Sequence, residues 1–210
     1  MKFDCDRKML EEAVLKVQHA VSVKSSYPAL EGILLEAKSG KLRLCGYDLS
    51  IGITTEFPAT ILEPGSVVMG AKLFCEIIRR LPEQNVHLET DKKNFANIRS
   101  GESKFSIAGI PAEEYPELPQ IEKNTNFTLP ADILKSMIRQ TIFAVSQSDQ
   151  NPIHTGVLFE TDKENVRMVA VDGYRLAIRE EPVKNMSKCS FVVPGKTLKE
   201  IVNLINDNDK

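Results

Sequence analysis

Residues 20–36 read AVSVKSSYPALEGILLE, and residues 144–160 read AVSQSDQNPIHTGVLFE. The second stretch is the first displaced by 124 positions without a gap: Ala20-Val21-Ser22 fall on Ala144-Val145-Ser146, Pro28 on Pro152, Gly32 on Gly156, Leu34 on Leu158 and Glu36 on Glu160. The register holds in both directions. Phe3 meets Phe127, Leu10 meets Leu134, Arg43 meets Arg167, Asp48 meets Asp172, Glu56 meets Glu180 and Pro58 meets Pro182. Ser66, Val68, Lys72, Glu76 and Ile77 meet Ser190, Val192, Lys196, Glu200 and Ile201. These are 18 identities over the 80 pairs from 3/127 to 82/206. That is roughly a fifth, where unrelated stretches give about a twentieth to a fifteenth, so the chain holds two copies of one domain.

Both copies show the same change of period. Met9, Leu10, Ala13, Val14, Val17 and Val21 recur at helical spacing, as do Ile133, Leu134, Met137, Ile138, Thr141, Ile142 and Val145. A second amphipathic helix follows in each copy, through Leu73, Phe74, Ile77, Ile78 and Leu81 and through Leu198, Ile201, Val202 and Ile205. Between the helices the period falls to two, over residues 41–45 and 50–57, with turns at Ser39-Gly40 and Lys163-Glu164-Asn165. Two helices on one side of a strand meander predict an α+β fold, a repeated domain of two helices packed on antiparallel sheets. Copy one continues into three further strands, residues 86–89, 95–99 and 104–108, with a turn at Ser100-Gly101. Position 210 corresponds to position 86, so the second copy is expected to be incomplete. Pro111, Pro116 and Pro119 mark residues 111–125 as the linker region. The expected division is a first domain over 1–120, a linker over 121–126 and a second domain over 127–210, truncated before its last strands.

Composition narrows the function. The 210 residues are 42% hydrophobic and 27% charged, which suits folded domains, and no apolar run approaches the ~20 residues of a membrane span. The start, MKFDCDRK, lacks the apolar stretch expected of a signal peptide. Cysteines 5, 45, 75 and 189 stand far apart without a CxxC, as small buried residues do in a reducing compartment, and a cytoplasmic location is expected. The net charge of −2 hides a segregation: residues 7–21, 71–81, 131–145 and 195–205 carry ten basic and five acidic side chains, a balance of +5, leaving −7 elsewhere. Lys and Arg are good helix formers on a solvated face. They are also what a surface facing phosphates uses when it holds DNA without reading sequence, and no base-reading motif accompanies them.

Catalytic patterns are absent. Pro194-Gly195-Lys196-Thr197 resembles the end of a phosphate-binding loop, but Ser190 stands where that loop needs a glycine, so a helix start is the simpler role. His19, His87 and His154 have no metal-ligand spacing. Asp172-Gly173-Tyr174-Arg175-Leu176 reads most simply as a turn running into a strand at Tyr-Arg-Leu. An aromatic, an arginine and a leucine together also suit a pocket for peptides.

MKFDCDR at the start, GILLEAKSGKLRLCGYDLSI, RSGESKFSIAGIPAEEYP, FTLPADILKSMI and GVLFETDKENVRMVAVDGYRLAI together resemble the DNA polymerase III beta subunit, the bacterial sliding-clamp family. The resemblance implies three repeated α+β domains per chain. Two chains close head to tail into a ring around duplex DNA, with basic helices inside and sheets outside, and there is no catalysis, cofactor or metal. It implies DNA contacts at Lys24, Lys72, Gln147 and Lys196, to which the helix charges add Arg79, Arg80, Lys135, Arg139 and Lys199. It implies a subunit interface at Phe105 and Ile107 on an edge strand. His154, Val171, Gly173, Tyr174, Arg175 and Leu176 match one wall of the pocket that receives the clamp-binding peptides of DNA polymerase III alpha or PolC-type polymerases, the clamp loader and repair proteins. His154 stands where the family often has leucine. With no third domain, the chain is expected to be a truncated fragment that does not close the usual homodimeric ring. The alternatives are a protein-interaction module using Tyr174 and Arg175 without DNA, and a nucleotide-dependent enzyme built on Gly195-Lys196-Thr197.

Overall fold

A computed structural model describes residues 1–119, 128–148, 150–162, 164–183 and 188–205. The linker 121–126, Phe127 of the repeat and Lys163 of the 163–165 turn lie outside the described residues. The chain forms two compact units, Met1–Pro119 and Gln120–Lys210.

The first unit opens with β1 (Lys2–Asp6) and α1 (Arg7–Gln18), joined without a loop. Asp6 is the junction: its backbone is extended and its carboxylate accepts the Met9 amide at 3.0 Å, satisfying one of the orphan donors of the first helical turn. There follow β2 (Gly32–Lys38), β3 (Lys41–Tyr47), β4 (Gly52–Pro58), β5 (Thr60–Glu63), β6 (Gly65–Gly70), α2 (Ala71–Arg80), β7 (Asn85–Thr90), β8 (Phe95–Ser100) and β9 (Ser103–Ile110). All nine strands join one antiparallel sheet in the order β4-β3-β2-β6-β9-β8-β7-β1-β5. The helices lie against one face, where Leu10, Val14 and Val17 of α1 and Phe74 and Ile78 of α2 bury against Leu35, Leu42, Leu44, Met69, Leu88 and Ile98. Each such side chain removed from water stabilises by about 1.5–3 kcal/mol. The strands β1 and β5 are absent from the sequence reading, and the 3.6-residue period there ran α1 on to residue 21, whereas the helix ends at Gln18. Ala20 and Val21 instead take tighter bonds to the carbonyls three residues back, at 3.0 and 3.1 Å.

The second unit repeats the front half of this plan: α3 (Ala131–Thr141), β10 (Gly156–Thr161), β11 (Asn165–Val171), β12 (Leu176–Pro182), β13 (Cys189–Pro194) and α4 (Gly195–Leu204), with sheet order β12-β11-β10-β13. Met137, Ile138 and Leu198 bury against Val157, Phe159, Val166 and Met168. The predicted helix over 131–145 is α3 followed by a 3-10 turn, Ile142–Ala144. Thr141 marks the break, its buried hydroxyl donating to the carbonyls of Met137 and Ile138 at 2.9 and 3.3 Å.

The structure explains why the repeat kept the identities it did. Gly32 and Gly156 pass so close to β6 and β13 that an added Cβ would lie 2.4 Å from Val68 Cγ1 and 2.5 Å from Val192 Cγ1. Ser22 and Ser146 donate their hydroxyls to the carbonyls of Lys24 and Ser148 at 3.1 and 3.4 Å, and their amides to the carbonyls of Leu30 and His154 at 3.0 and 2.8 Å. Arg43 reaches Glu36 across β3–β2, and Arg167 reaches Glu160 across β11–β10, each at 2.7 Å.

Candidate functional site

Basic side chains divide into two populations. On the strands six are matched by carboxylates: Lys41 with Glu56, Arg43 with Glu36, Lys2 and Arg99 with Glu89 at 3.3 and 3.5 Å, Arg167 with Glu160, Arg179 with Glu181, while Lys38 and Lys104 form no ion pair among the described residues. On the helices Arg7 of α1 pairs with Glu11 at 2.8 Å, whereas Lys72, Arg79 and Arg80 of α2, Arg139 of α3 and Lys199 of α4 are exposed and form no ion pair among the described residues. Lys24 and Gln147 are exposed in the loops after the first helix of each unit, and Lys196 is exposed at the start of α4. Lys135 differs: it is half-buried, and its Nζ donates to the Ile205 carbonyl at 3.3 Å, so it ties α3 to the end of α4.

Helix stability accounts for some of these positions and not others. Arg79 and Arg80 lie in the last turn of α2, where cations complement the helix dipole. Lys72 and Lys196 lie in the first turns of α2 and α4, where a cation opposes it, and neither first turn holds an acidic residue. A sequence arranged for helix stability puts carboxylates there. Gly195 begins α4 after Pro194, the helix start expected from the sequence, and an added Cβ would lie 3.2 Å from the Thr155 carbonyl.

The second unit presents an apolar surface around the turn 172–175. Asp172 Oδ1 accepts the amides of Tyr174 and Arg175, each at 3.1 Å, and Oδ2 accepts Arg175 Nε at 2.8 Å. The Tyr174 amide, with the Arg175 side chain and amide behind it, holds the Asp172 carboxyl below the usual carboxylate range. Gly173 takes φ +89°, which a side chain would strain. Tyr174 and Arg175 therefore belong to the turn, and β12 starts only at Leu176, a correction to the sequence reading. Tyr174 is 100% exposed, Leu176 60%, and the Arg175 guanidinium lies 5.6 Å over the Phe143 ring. Val171 ends β11 half-buried, and continuing the β10–β11 register sets it opposite Gly156, two residues from half-buried His154. The 142–146 segment links the pieces, with Phe143 under Arg175 and the Ser146 amide on the His154 carbonyl. Phe143, Ile153 and Ile178 also reach solvent there. Sequence reasoning missed them, because apolar residues near a helix end or in a strand read as core.

Phe105 and Ile107 lie on β9, which sits between β6 and β8 in the sheet order. Only Gly109 and Ile110 reach β6, so over residues 103–108 the strand is hydrogen-bonded on one side alone and has an open edge. Ile107 packs on the main core, and Phe105 is partly exposed beside it.

Other chemistry finds little support. Burial pushes the Cys5 thiol up to about 12 and Cys75 up to about 11, which keeps both protonated and unreactive. Among the described residues no group of three or more His, Cys, Asp or Glu could hold a metal ion, and no helix is long and apolar enough to cross a membrane. A cleft of the first unit, about 740 Å³, is lined by Asp4, Asp6, Thr60, Glu83, Asn85 and His87, whose Nδ1 lies 2.6 Å from Asp4 Oδ1.

The profile described as DNA polymerase III beta subunit, N-terminal domain, matches residues 1–119, and that of the same subunit's central domain matches residues 128–210. The beta sliding clamp of Bacillus subtilis is 37% identical over 220 residues, covering 100% of this chain and 58% of the relative. That of Staphylococcus aureus is 34% identical over 200 residues, covering 91% and 53%. The crystal structure of the B. subtilis DNA polymerase sliding clamp superposes with a TM-score of 0.96 at 37% identity, covering 100% of this chain and 58% of that one. A sliding clamp from Pseudomonas aeruginosa bound to griselimycin gives 0.91 at 25% identity, covering 100% and 57%. The chain thus spans a little over half the length of the relatives it matches.

Proposed function

The chain belongs to the DNA polymerase III beta subunit family, and from that premise we propose that it serves as a DNA sliding clamp, a processivity factor for the replicative polymerase. One observation carries the reading. Six of the eight strand cations are neutralised by neighbouring carboxylates, whereas Lys72, Arg79, Arg80, Arg139 and Lys199 on the helices are left to solvent. Unneutralised cations without base-reading side chains attract phosphates of any sequence, as a protein that slides along DNA requires. Lys24 and Gln147 in their loops and Lys196 at the start of α4 are exposed beside this set, and Lys135 contributes through the positioning of α4.

Around this DNA function the remaining surfaces take roles of their own. The turn 172–175, with Val171, His154 and Leu176, forms one wall of a pocket for short peptides of polymerases, the clamp loader and repair proteins. A copy of β9's open edge with Phe105 and Ile107 suits the joint with a second subunit. The protein acts in the cytoplasm as a non-catalytic subunit and uses no cofactor.

The test is duplex-DNA binding as a function of salt. If about five to seven phosphates are engaged, log affinity falls against log salt with a slope of about −5 to −6, independent of sequence. Affinity that does not change between low and high salt removes the reading. A protein-interaction module without DNA is the second reading, favoured by the complete exposure of Tyr174. It predicts peptide binding lost in Arg175→Ala and no DNA binding in either form.

A further inference from the structure

The repeat that relates the units also relates the candidate peptide surface of the second unit to a surface of the first, and the two are in different states. Asp48 repeats Asp172: its Oδ1 accepts the amides of Ser50 and Ile51 at 3.0 and 2.8 Å, as Asp172 Oδ1 accepts those of Tyr174 and Arg175. Leu49 takes the left-handed conformation of Gly173, with φ +71°, a strained backbone for a leucine. The turn is one device built twice.

What covers it differs. In the second unit Ile153 is 66% exposed and Leu176 60%. Their counterparts in the first unit are Ala29, 3% exposed, and Gly52, whose absent Cβ would lie 2.7 Å from Leu118 Cδ2. Leu118 thus fills from outside the space that the Leu176 side chain occupies in the second unit. Three residues earlier Tyr115 is buried with Ala29, Cys45 and Val68, and its hydroxyl donates to the Cys45 carbonyl at 3.3 Å. Val192, the counterpart of Val68, is 37% exposed. After a 3-10 turn, Ala112–Glu114, the backbone turns extended at Tyr115, and residues 115–118 supply an aromatic anchor, a proline, and a leucine three positions after the aromatic.

We propose that the first unit carries a second peptide groove, occupied by the chain's own segment 115–118, which a peptide of the same chemistry, an aromatic residue followed three positions later by leucine, replaces once that segment is released. This rests on the reading of the turn 172–175 as a peptide site. The groove is closed in the resting chain because the built-in segment competes at the effective concentration of a tether, so the apparent affinity for an added peptide is lowered by the fraction of chains in which the segment is off. Weakening the segment raises that fraction and leaves the groove intact.

The probe is a fluorescein-labelled peptide of residues 112–119, AEEYPELP, titrated by anisotropy into the full chain. Binding at the second unit is removed by combining Arg175→Ala with Leu176→Ser, and in that background Leu118→Ala is compared with its parent. Leu118 is only half-buried, so its truncation leaves the main core of the first unit in place. The expected result is at least about tenfold tighter binding in the Leu118→Ala chain, with faster hydrogen exchange at the Tyr115 amide. Adding Gly52→Leu, which fills the groove, cancels the gain. Faster exchange without tighter binding overturns the proposal, because the vacated surface then holds no peptide. Exchange unchanged in Leu118→Ala overturns it too, because the segment is then a fixed part of the fold. Binding to the chain with its second unit intact tests the 172–175 reading separately, through its loss in the Arg175→Ala, Leu176→Ser pair.

Discussion

Replacing Lys72 with glutamine separates a lysine kept for the helix from one kept for a ligand, because the two reasons predict opposite signs. Lys72 is exposed in the first turn of α2, a turn without an acidic residue, after a Gly70 cap that supplies no side-chain hydrogen bond. Its charge opposes the positive end of the helix dipole, a cost of about 0.3–1 kcal/mol at low ionic strength. Lys and Gln have nearly equal helix propensity, so little else changes. Lys72→Gln is therefore expected to stabilise the first unit by a few tenths of a kcal/mol up to about 1, raising its thermal midpoint by about 1–3 °C. If Lys72 meets a phosphate as proposed, the same substitution makes the slope of log DNA affinity against log salt shallower by about 0.9. Urea or thermal denaturation followed by circular dichroism gives the first quantity, and DNA titration at several salt concentrations gives the second. A variant that loses stability, or one that binds DNA with an unchanged salt slope, refutes the reasoning.

Gly156→Ala is expected to destabilise the second unit by about 1–3 kcal/mol in urea denaturation, since the new methyl would meet Val192 Cγ1 at 2.5 Å and the Val193 carbonyl oxygen at 2.7 Å. Arg167→Ala breaks an exposed cross-strand pair with Glu160 and should cost under about 1 kcal/mol in a double-mutant cycle with Glu160→Ala, less in high salt. Tyr174→Ala removes a fully exposed ring and should leave the denaturation midpoint within about 0.5 kcal/mol of the parent while weakening peptide binding. The 172–175 turn should loosen in acid: the folded-state value of Asp172 is depressed, so its contribution is complete above the unfolded value of about 3.9 and is lost as pH falls through the lower folded value. The amide shifts of Tyr174 and Arg175 followed by NMR should therefore move below about pH 4 and hold steady from pH 5 to 8.

The four helices were legible because each buries one face, and a 3.6-residue period needs no knowledge of what it packs against. β1 was not, although Phe3 and Cys5 are buried. Its five residues gain their neighbours from far away, Phe3 opposite Leu88 on one side and Ile61 on the other, and five residues are too few for alternation to stand out. Segment 111–119 was read as part of a linker from its prolines, which fix an extended backbone but do not say whether it leaves the surface or lies on it. That depended on the tyrosine between them finding a carbonyl on β3 and a small side chain, Ala29, beneath it. Charge segregation was legible as a sum over helices. The sum could not show that strand arginines are matched one by one, nor that Lys135 is turned onto the end of α4.

The identities between the copies carry one further step. Few of them are large core residues, which vary freely where volume is kept: Leu35 answers to Phe159 and Leu44 to Met168. They are residues whose side chain, or lack of one, does a specific local job, namely a glycine under a crossing strand, a serine whose hydroxyl donates to the carbonyl two residues on, an aspartate holding a loop, and an arginine and glutamate facing each other across two strands. Lys72 and Lys196 are also identical, yet both stand in a first helical turn, where the helix dipole disfavours a cation. At Lys72 helix electrostatics argue against a lysine and no ion pair among the described residues offsets it, so the proposed DNA contact supplies a reason for positive charge there that the helix itself does not.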